Sequence, residues 1–428
     1  MAFTPTDYVL MDCGTGRMFA DEGWTLADPK STKPALVRAV YEKKTFDLRD
    51  DLEGFYKFAD WLPIKRTLSH SCAPVTYKSK GMASYLGLEN LYITFSGYYP
   101  QIGANMETCS FKETEAYSVC ARLPEDNDRI LVVASAGNTA RAFAKVCSDN
   151  NIPLLLSIPE DNINALWFKK PLNSCVKIIA SPKGSDYFDA ITLSDKVCSS
   201  PKFMAEGGAK NIARRDGMGT TLLSAVAHIG RIPDAYFQAI GSGTGTIAVW
   251  ENNLRLIEDG RYGTHKMRLY PSQNDPFTIM YDSWKMKSRE LAPMTPEQAR
   301  HCAAVIDAKV LSNRKPPYSL AGGLYDAMCD ASGDMYKISN EELAIWKKRF
   351  KELEGIDIYS AAAVAAASVE MAVKDGSVKK GEIIMLNITG GGEELSKSQT
   401  DVVYAVPDLV LDPSLSEEEI IGAVEKLF

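Results

Sequence analysis

Ser110-Phe111-Lys112 places a lysine where a helix-compatible run, Glu113-Thr-Glu-Ala-Tyr-Ser-Val-Cys120, begins. A helix N-terminus disfavours a cation, and partial desolvation lowers an amine's pKa further, so Lys112 is inclined to its neutral, nucleophilic form. Taken alone it is one basic residue among 48, and an exposed surface lysine is the ordinary reading. Three later segments change that reading. Ser135-Ala136-Gly137-Asn138-Thr139 lies between a strand and a helix; it is either a polar cradle for a carboxylate and a ring oxygen or simply a helix cap. Gly241-Ser242-Gly243-Thr244-Gly245-Thr246 follows the strand-like Ala235–Ile240 and opens a helix, where converging N–H groups and the dipole favour an anion. Thr389-Gly390-Gly391-Gly392 ends an apolar strand and offers one hydroxyl, or else opens a turn.

In order, the chain thus presents an amine, a polar cradle, an anion nest and a hydroxyl. Pyridoxal phosphate asks for that set: a lysine for its aldehyde, partners for its ring oxygen and ring nitrogen, and a site for its phosphate. Lys112 is assigned to the aldehyde, Asn138 to the ring oxygen, Gly241, Ser242, Gly243, Thr244, Gly245 and Thr246 to the phosphate, and Thr389 to the ring nitrogen. Thr389 bonds that nitrogen without protonating it, which suits elimination or replacement at the side chain better than transamination. The glycine spacing is GxGxG, and no lysine follows as in a P-loop, which argues against a nucleotide-dependent oxidoreductase.

These segments need strand ends and helix starts to hold them. Strands are expected over 129–134, 153–158, 176–180, 235–240, 266–270 and 382–388, and helices over 139–148, 186–199, 217–229, 245–258, 296–308, 341–352, 360–374 and 416–427. Ser416 with Glu419 three residues on predicts a capping box for the last of these. Such alternation predicts an α/β protein with parallel sheets covered by helices on both faces. Residues 272–320, rich in Pro, Ser, Asn and charge, are expected to be irregular surface structure.

A chain of 428 residues, 45% hydrophobic, is long enough for two or three layered domains. Its net charge of −7 and lack of a basic stripe argue against nucleic-acid or membrane-surface partners. Nine scattered cysteines without a CxxC pair, and four histidines without ligand spacing, argue against a bound metal and for free thiols in a reducing cytoplasm. The N-terminus lacks the pattern of a signal peptide.

The four segments resemble fold-type II pyridoxal-phosphate enzymes, and among them the threonine synthase-like branch. The likeness extends to Leu62-Pro63, Thr67-Leu68, Asn211, the run Arg214-Arg215-Asp216-Gly217-Met218-Gly219-Thr220 and Ile388-Thr389-Gly390, and it spans the chain from Ala35 onward. Where threonine synthases continue the lysine segment with Asp-Arg-Gly, this chain has Glu113-Thr114-Glu115; where they have Gly-x-Lys-Thr, it has Gly219; their Thr-Gly-x-Gly-Leu-Lys is replaced by Thr389–Glu394. With Ala39-Val40-Tyr41, Leu48–Gly54 and Ala59–Pro63 included, the pattern is most similar to the cysteate synthase family of methanogenic archaea, which feeds coenzyme M biosynthesis. The resemblance implies two doubly wound, mostly parallel lobes of the tryptophan synthase β-like kind. Residues 1–66 would form an N-terminal extension, 67–112 with 215–428 the large cofactor-binding lobe, and 113–214 a smaller, mobile lobe. It implies β-replacement on O-phospho-L-serine with sulfite, through an aminoacrylate, giving L-cysteate and phosphate, with Lys112 as catalytic base. Ser135, Gly137, Asn138 and Thr139 would hold the substrate carboxylate, and Lys210, Asn211, Arg214 and Arg215 its anionic groups. It further implies a homo-oligomer acting on small molecules. Threonine synthesis from O-phosphohomoserine, or a catalytically silent cofactor-binding relative, are the alternatives.

Overall fold

The computed structural model describes residues 3–135 and 137–428; Ala136, in the second motif, lies outside them. Two sheets organise the chain. The larger has six strands in the order Tyr336–Ile338, Arg268–Asn274, Ala235–Ala239, Ile383–Ile388, Asn90–Phe95, Val75–Lys78, all parallel except the last. The smaller has five parallel strands, Phe203–Ala205, Ile130–Ala134, Leu154–Pro159, Val176–Ser181 and Leu409–Val410. Their central strands are continuous apolar runs such as Ile130-Leu-Val-Val133, because both faces are covered by helices. The helix Ser360–Lys374 shows how close that cover is. Its small side chains, Ala361 to Ala367 with Val364 among them, are all buried in one apolar cluster with Ala235, Phe237, Ile384 and Leu386 of the large sheet.

The expected strands and helices are present with boundaries shifted by a few residues, and the capping box of Ser416 with Glu419 is formed. The helix expected from 217 begins at Ile212, because the Asn211 side chain caps it by accepting from the Ala213 N–H at 3.0 Å.

Three regions depart from expectation. Residues 1–66 carry an antiparallel sheet, Met18–Phe19, Tyr8–Asp12 and Val37–Tyr41, and a 3-10 helix, Gly54–Trp61, whose Phe55, Phe58 and Trp61 are buried in the core. Residues 272–320 are not irregular surface. Beside the expected helix, found at Pro296–Val305, they include the helix Ile279–Lys285, and they bury Phe277, Met280, Ile306 and Tyr318. Finally, 215–428 does not stay with the large sheet. Leu409 and Val410 pair with Ile179 and Ala180 of the small sheet, and the helix Glu417–Val424 buries Ile420 and Val424 against Leu193 and Val197. No helix among the described residues is long and apolar enough to cross a membrane.

Candidate active site

Parallel sheets leave a crevice beyond the carboxyl ends of their strands, where loops carry function. Ser135 follows Ile130–Ala134 of the small sheet, while Gly241 and Thr389 follow the neighbouring strands Ala235–Ala239 and Ile383–Ile388 of the large one. The fold thereby brings three of the four motif segments to strand ends. The fourth is tied to them directly. Phe111 N–H donates to the Thr389 carbonyl at 3.0 Å and Gly391 N–H to the Cys109 carbonyl at 3.0 Å. Gly390 has to be glycine at this seam: a Cβ there would lie 2.4 Å from the Tyr359 ring and 2.8 Å from the Cys109 carbonyl.

Lys112 is the first residue of the helix Lys112–Arg122. Its Nζ lies 3.1 Å from Glu115 Oε2, one turn on, and over the Phe111 ring. Burial pushes the Lys112 amine below its ordinary pKa; Arg214 adds to that, and Glu115 opposes it. Arg214 in turn sits between two carboxylates, with Nε donating to Glu206 Oε1 at 2.8 Å and Nη1 lying 3.4 Å from Glu115. Two cations and two carboxylates thus form one largely buried, balanced cluster around the amine.

The helix Thr244–Asp259 starts from Gly243 at φ 77, a left-handed conformation that favours glycine, and a Cβ there would lie 2.9 Å from Leu324. Ser242 and Thr244 hydroxyls meet at 2.8 Å. Thr246 Oγ1 is fully buried and lacks a hydrogen-bond partner among the described residues. A helix N-terminus with crowded glycines, two hydroxyls and an orphaned third has the donor set of a phosphate site, and the residues present fit that part of pyridoxal phosphate. Thr389 stands at the strand end, 9% exposed.

Asn138 opens the helix Asn138–Asp149, and its Oδ1 accepts from Arg141 Nη2 at 3.1 Å. Ser135 N–H donates to the Ser157 carbonyl at 3.1 Å, and its Oγ accepts from Gly137 N–H at 3.3 Å. Thr139 is half-buried beside Asn138.

The expected anion set is not brought together. Lys210 is exposed on the short turn Gly208–Lys210. Asn211 is buried as a helix cap, with Oδ1 also accepting from Arg122 at 2.9 Å and Nδ2 donating to the Glu206 carbonyl at 2.7 Å. Arg215 is 1% exposed, paired with Glu251 at 3.1 Å and donating to the Ala209 and Val37 carbonyls. Asn211 and Arg215 are buried and engaged with protein acceptors, and of the four only Arg214 contacts the Lys112 cluster. Glu115, Glu206 and Arg141 were not singled out from sequence. Glu115 carried a signal, since it lies three residues after Lys112 and shares its helix face. Arg141 carried one too, since it lies three residues after Asn138 and shares its helix face. Glu206 carried none.

The chain can be compared with known proteins on this geometry. A family described as "Pyridoxal-phosphate dependent enzyme" matches residues 103–390, a span that contains the first three segments and Thr389-Gly390 of the fourth. Among solved structures, the fold is similar to maize serine racemase (TM-score 0.58, 14% identity, 76% of this chain and 91% of that one). It is also similar to a threonine deaminase isoform from Solanum lycopersicum (TM-score 0.56, 16% identity, 76% and 81%). The chain is therefore a pyridoxal-phosphate-dependent enzyme with the fold of fold-type II. Among curated relatives, the cysteate synthase of Methanosarcina mazei is 44% identical over 382 residues, 89% of this chain and 91% of its own. That of Methanospirillum hungatei is 40% identical over 421 residues, 98% of each chain. The chain belongs to the cysteate synthase family.

Proposed function

We propose that this chain forms L-cysteate and phosphate from O-phospho-L-serine and sulfite by pyridoxal-phosphate-dependent β-replacement. The observation that carries the reading is near-full-length identity of 44% to a cysteate synthase, together with a buried Lys112 whose pKa that burial lowers. The Gly241–Thr246 cup holds the cofactor's phosphate, Asn138 its ring oxygen and Thr389 its ring nitrogen. The bound cofactor supplies an electron sink for negative charge developing at the substrate α-carbon.

The remaining work falls to side chains. Ser135, Gly137, Asn138 and Thr139 take the substrate carboxylate. Lys112, whose amine burial inclines towards the neutral form, removes the α-proton. Glu115, at 3.1 Å, then holds the resulting ammonium as an ion pair until the proton is returned. Arg214 faces the same space and is the candidate for the departing phosphate and the incoming sulfite, with Glu115 and Glu206 keeping its guanidinium in place. The segment built around the small sheet closes against the large one over this space, and the working enzyme is a homo-oligomer.

The test is product analysis. Protein loaded with pyridoxal phosphate is given phosphoserine and sulfite, and cysteate and phosphate are quantified. Equimolar release supports the reading. Inertness towards phosphoserine, with threonine formed from O-phosphohomoserine, would move the chain to threonine synthesis.

A further inference from the structure

Arg141 is 3% exposed, yet none of its hydrogen bonds goes to a carboxylate of a described residue. Its acceptors are the Ala165 carbonyl at 3.0 Å, the Thr108 carbonyl at 2.8 Å, the Tyr359 hydroxyl at 2.8 Å and Asn138 Oδ1 at 3.1 Å. Its Nε is buried without a partner, and its guanidinium lies 4.5 Å from the Trp167 ring centre. Buried cations are ordinarily matched by an anion. Lys112 and Arg214 obey that rule through Glu115 and Glu206; Arg141 does not.

Its neighbours say which edge of the site it serves. Asn138 is the residue assigned to the cofactor's ring oxygen. Tyr359 packs across Gly390, next to Thr389, the residue assigned to the ring nitrogen. Arg141 touches both Asn138 and Tyr359, so it stands behind the edge of the ring that joins oxygen to nitrogen. An arginine N–H only donates, so of the two ends of the Asn138 amide the one that meets it is the oxygen. The Asn138 amide is therefore fixed with Oδ1 towards Arg141 and its N–H groups turned to the other side.

We propose that Arg141 is a positioning residue for the cofactor: it locks the Asn138 amide as a donor to the ring oxygen and sets a buried positive charge behind that oxygen. The inference rests on the cofactor assignment but not on the identity of the substrates. The other charged or titratable groups facing this edge are Glu393, Lys397, Cys109 and Tyr359 itself. Burial opposes ionisation of Glu393, but Lys397, Tyr359 and Arg141 hold its pKa below the ordinary value, and its charge is engaged by Lys397 at 2.6 Å. Burial pushes the Cys109 thiol up to about 12 and the Tyr359 phenol well above its usual value, so both are neutral. Arg141 is thus the positive charge at this edge that no carboxylate contacts directly.

The experiment compares wild type, Arg141→Met and Arg141→Lys, each loaded with pyridoxal phosphate, without substrate. Two quantities are read: the apparent pKa of the cofactor's visible band, from a pH titration of absorbance, and the dissociation constant for the cofactor. A cation near the ring oxygen favours the deprotonated chromophore, so Arg141→Met is expected to raise the spectral pKa by about one unit and to weaken cofactor binding at least about tenfold. Arg141→Lys keeps the charge but cannot span Asn138 and Tyr359 together; it is expected to hold the wild-type spectral pKa while binding cofactor more weakly. A folded Arg141→Met with wild-type spectral pKa, or an Arg141→Lys that titrates like the methionine variant, overturns the electrostatic role. If the methionine variant does not fold, the lysine variant decides: weakened affinity supports the proposal, and wild-type affinity overturns it. Loss of the band in every protein, wild type included, would instead refute the cofactor assignment beneath it.

Discussion

Thr246→Val tests the phosphate cup with opposite signs in two states of the protein. Thr246 is fully buried, and its hydroxyl lacks a partner in the protein alone. A buried unsatisfied hydroxyl costs about 1–3 kcal/mol, and valine has nearly the same shape without the polar atom. The substitution therefore stabilises cofactor-free protein by about 1 kcal/mol, which for a chain of this length is a rise in Tm of roughly 1 °C. If the cup holds the cofactor's phosphate, the same hydroxyl would gain it as a partner, and a hydrogen bond to a charged group contributes about 1.5–3 kcal/mol. Losing it weakens pyridoxal phosphate binding roughly ten- to hundredfold. The assays are thermal unfolding of cofactor-free protein and a fluorescence titration with pyridoxal phosphate. A variant that is less stable without cofactor by more than about 1 kcal/mol would show that the hydroxyl is already satisfied. A variant with unchanged cofactor affinity would show that no anion sits in the cup.

Lys112→Ala is expected to abolish turnover and the covalent cofactor band while leaving far-ultraviolet circular dichroism unchanged; residual turnover near wild type would remove Lys112 from the role of base. Glu115 raises the Lys112 pKa against the larger effect of burial, so Glu115→Gln should lower it further. The rate at which cofactor-free protein captures pyridoxal phosphate should then reach its plateau at lower pH than in wild type, and a plateau at the same or higher pH would contradict the ion pair. Trp61 is 1% exposed, with its indole N–H donating to the Lys43 carbonyl at 2.9 Å and its ring 5.5 Å from Phe46. Trp61→Ala should cost about 3–5 kcal/mol in urea unfolding, and a loss below about 1 kcal/mol would mean the N-terminal region is not part of the cooperative core.

The segments assigned to the cofactor could be read from sequence because each carries its chemistry locally. Thr389 ends an apolar strand, Gly241–Thr246 opens a helix, and Lys112 follows Ser110-Phe111, all within a few residues. The substrate anion site was less legible because polar side chains near one another in sequence do not share a fate. Asn211, Arg214 and Arg215 are near neighbours, yet one caps a helix, one faces the active centre and one is buried against Glu251. Asn211 before Ile212-Ala213 had the form of a helix cap and could have been read so. The fate of Arg215 depends on a glutamate on a different helix, which no local pattern announces. Arg141 shares its helix face with Asn138 and Lys145, and its partners Thr108 and Tyr359 come from other parts of the chain.

The pairing of Leu409-Val410 beside Ile179-Ala180 makes the small sheet discontinuous in sequence, since its edge strand is synthesised long after its other four. A chain emerging from the ribosome cannot finish that sheet until the whole of the large lobe has been made. Until then the apolar surface of Leu193 and Val197 that Ile420 and Val424 cover, and the open edge along Ile179, stay unprotected. The large sheet is begun at Val75 and has its last strand by Ile388, whereas the small one is begun at Ile130 and closes last, at Val410. Shortening the chain before Leu409 would leave the catalytic motifs intact and still release a protein with an uncapped, aggregation-prone edge.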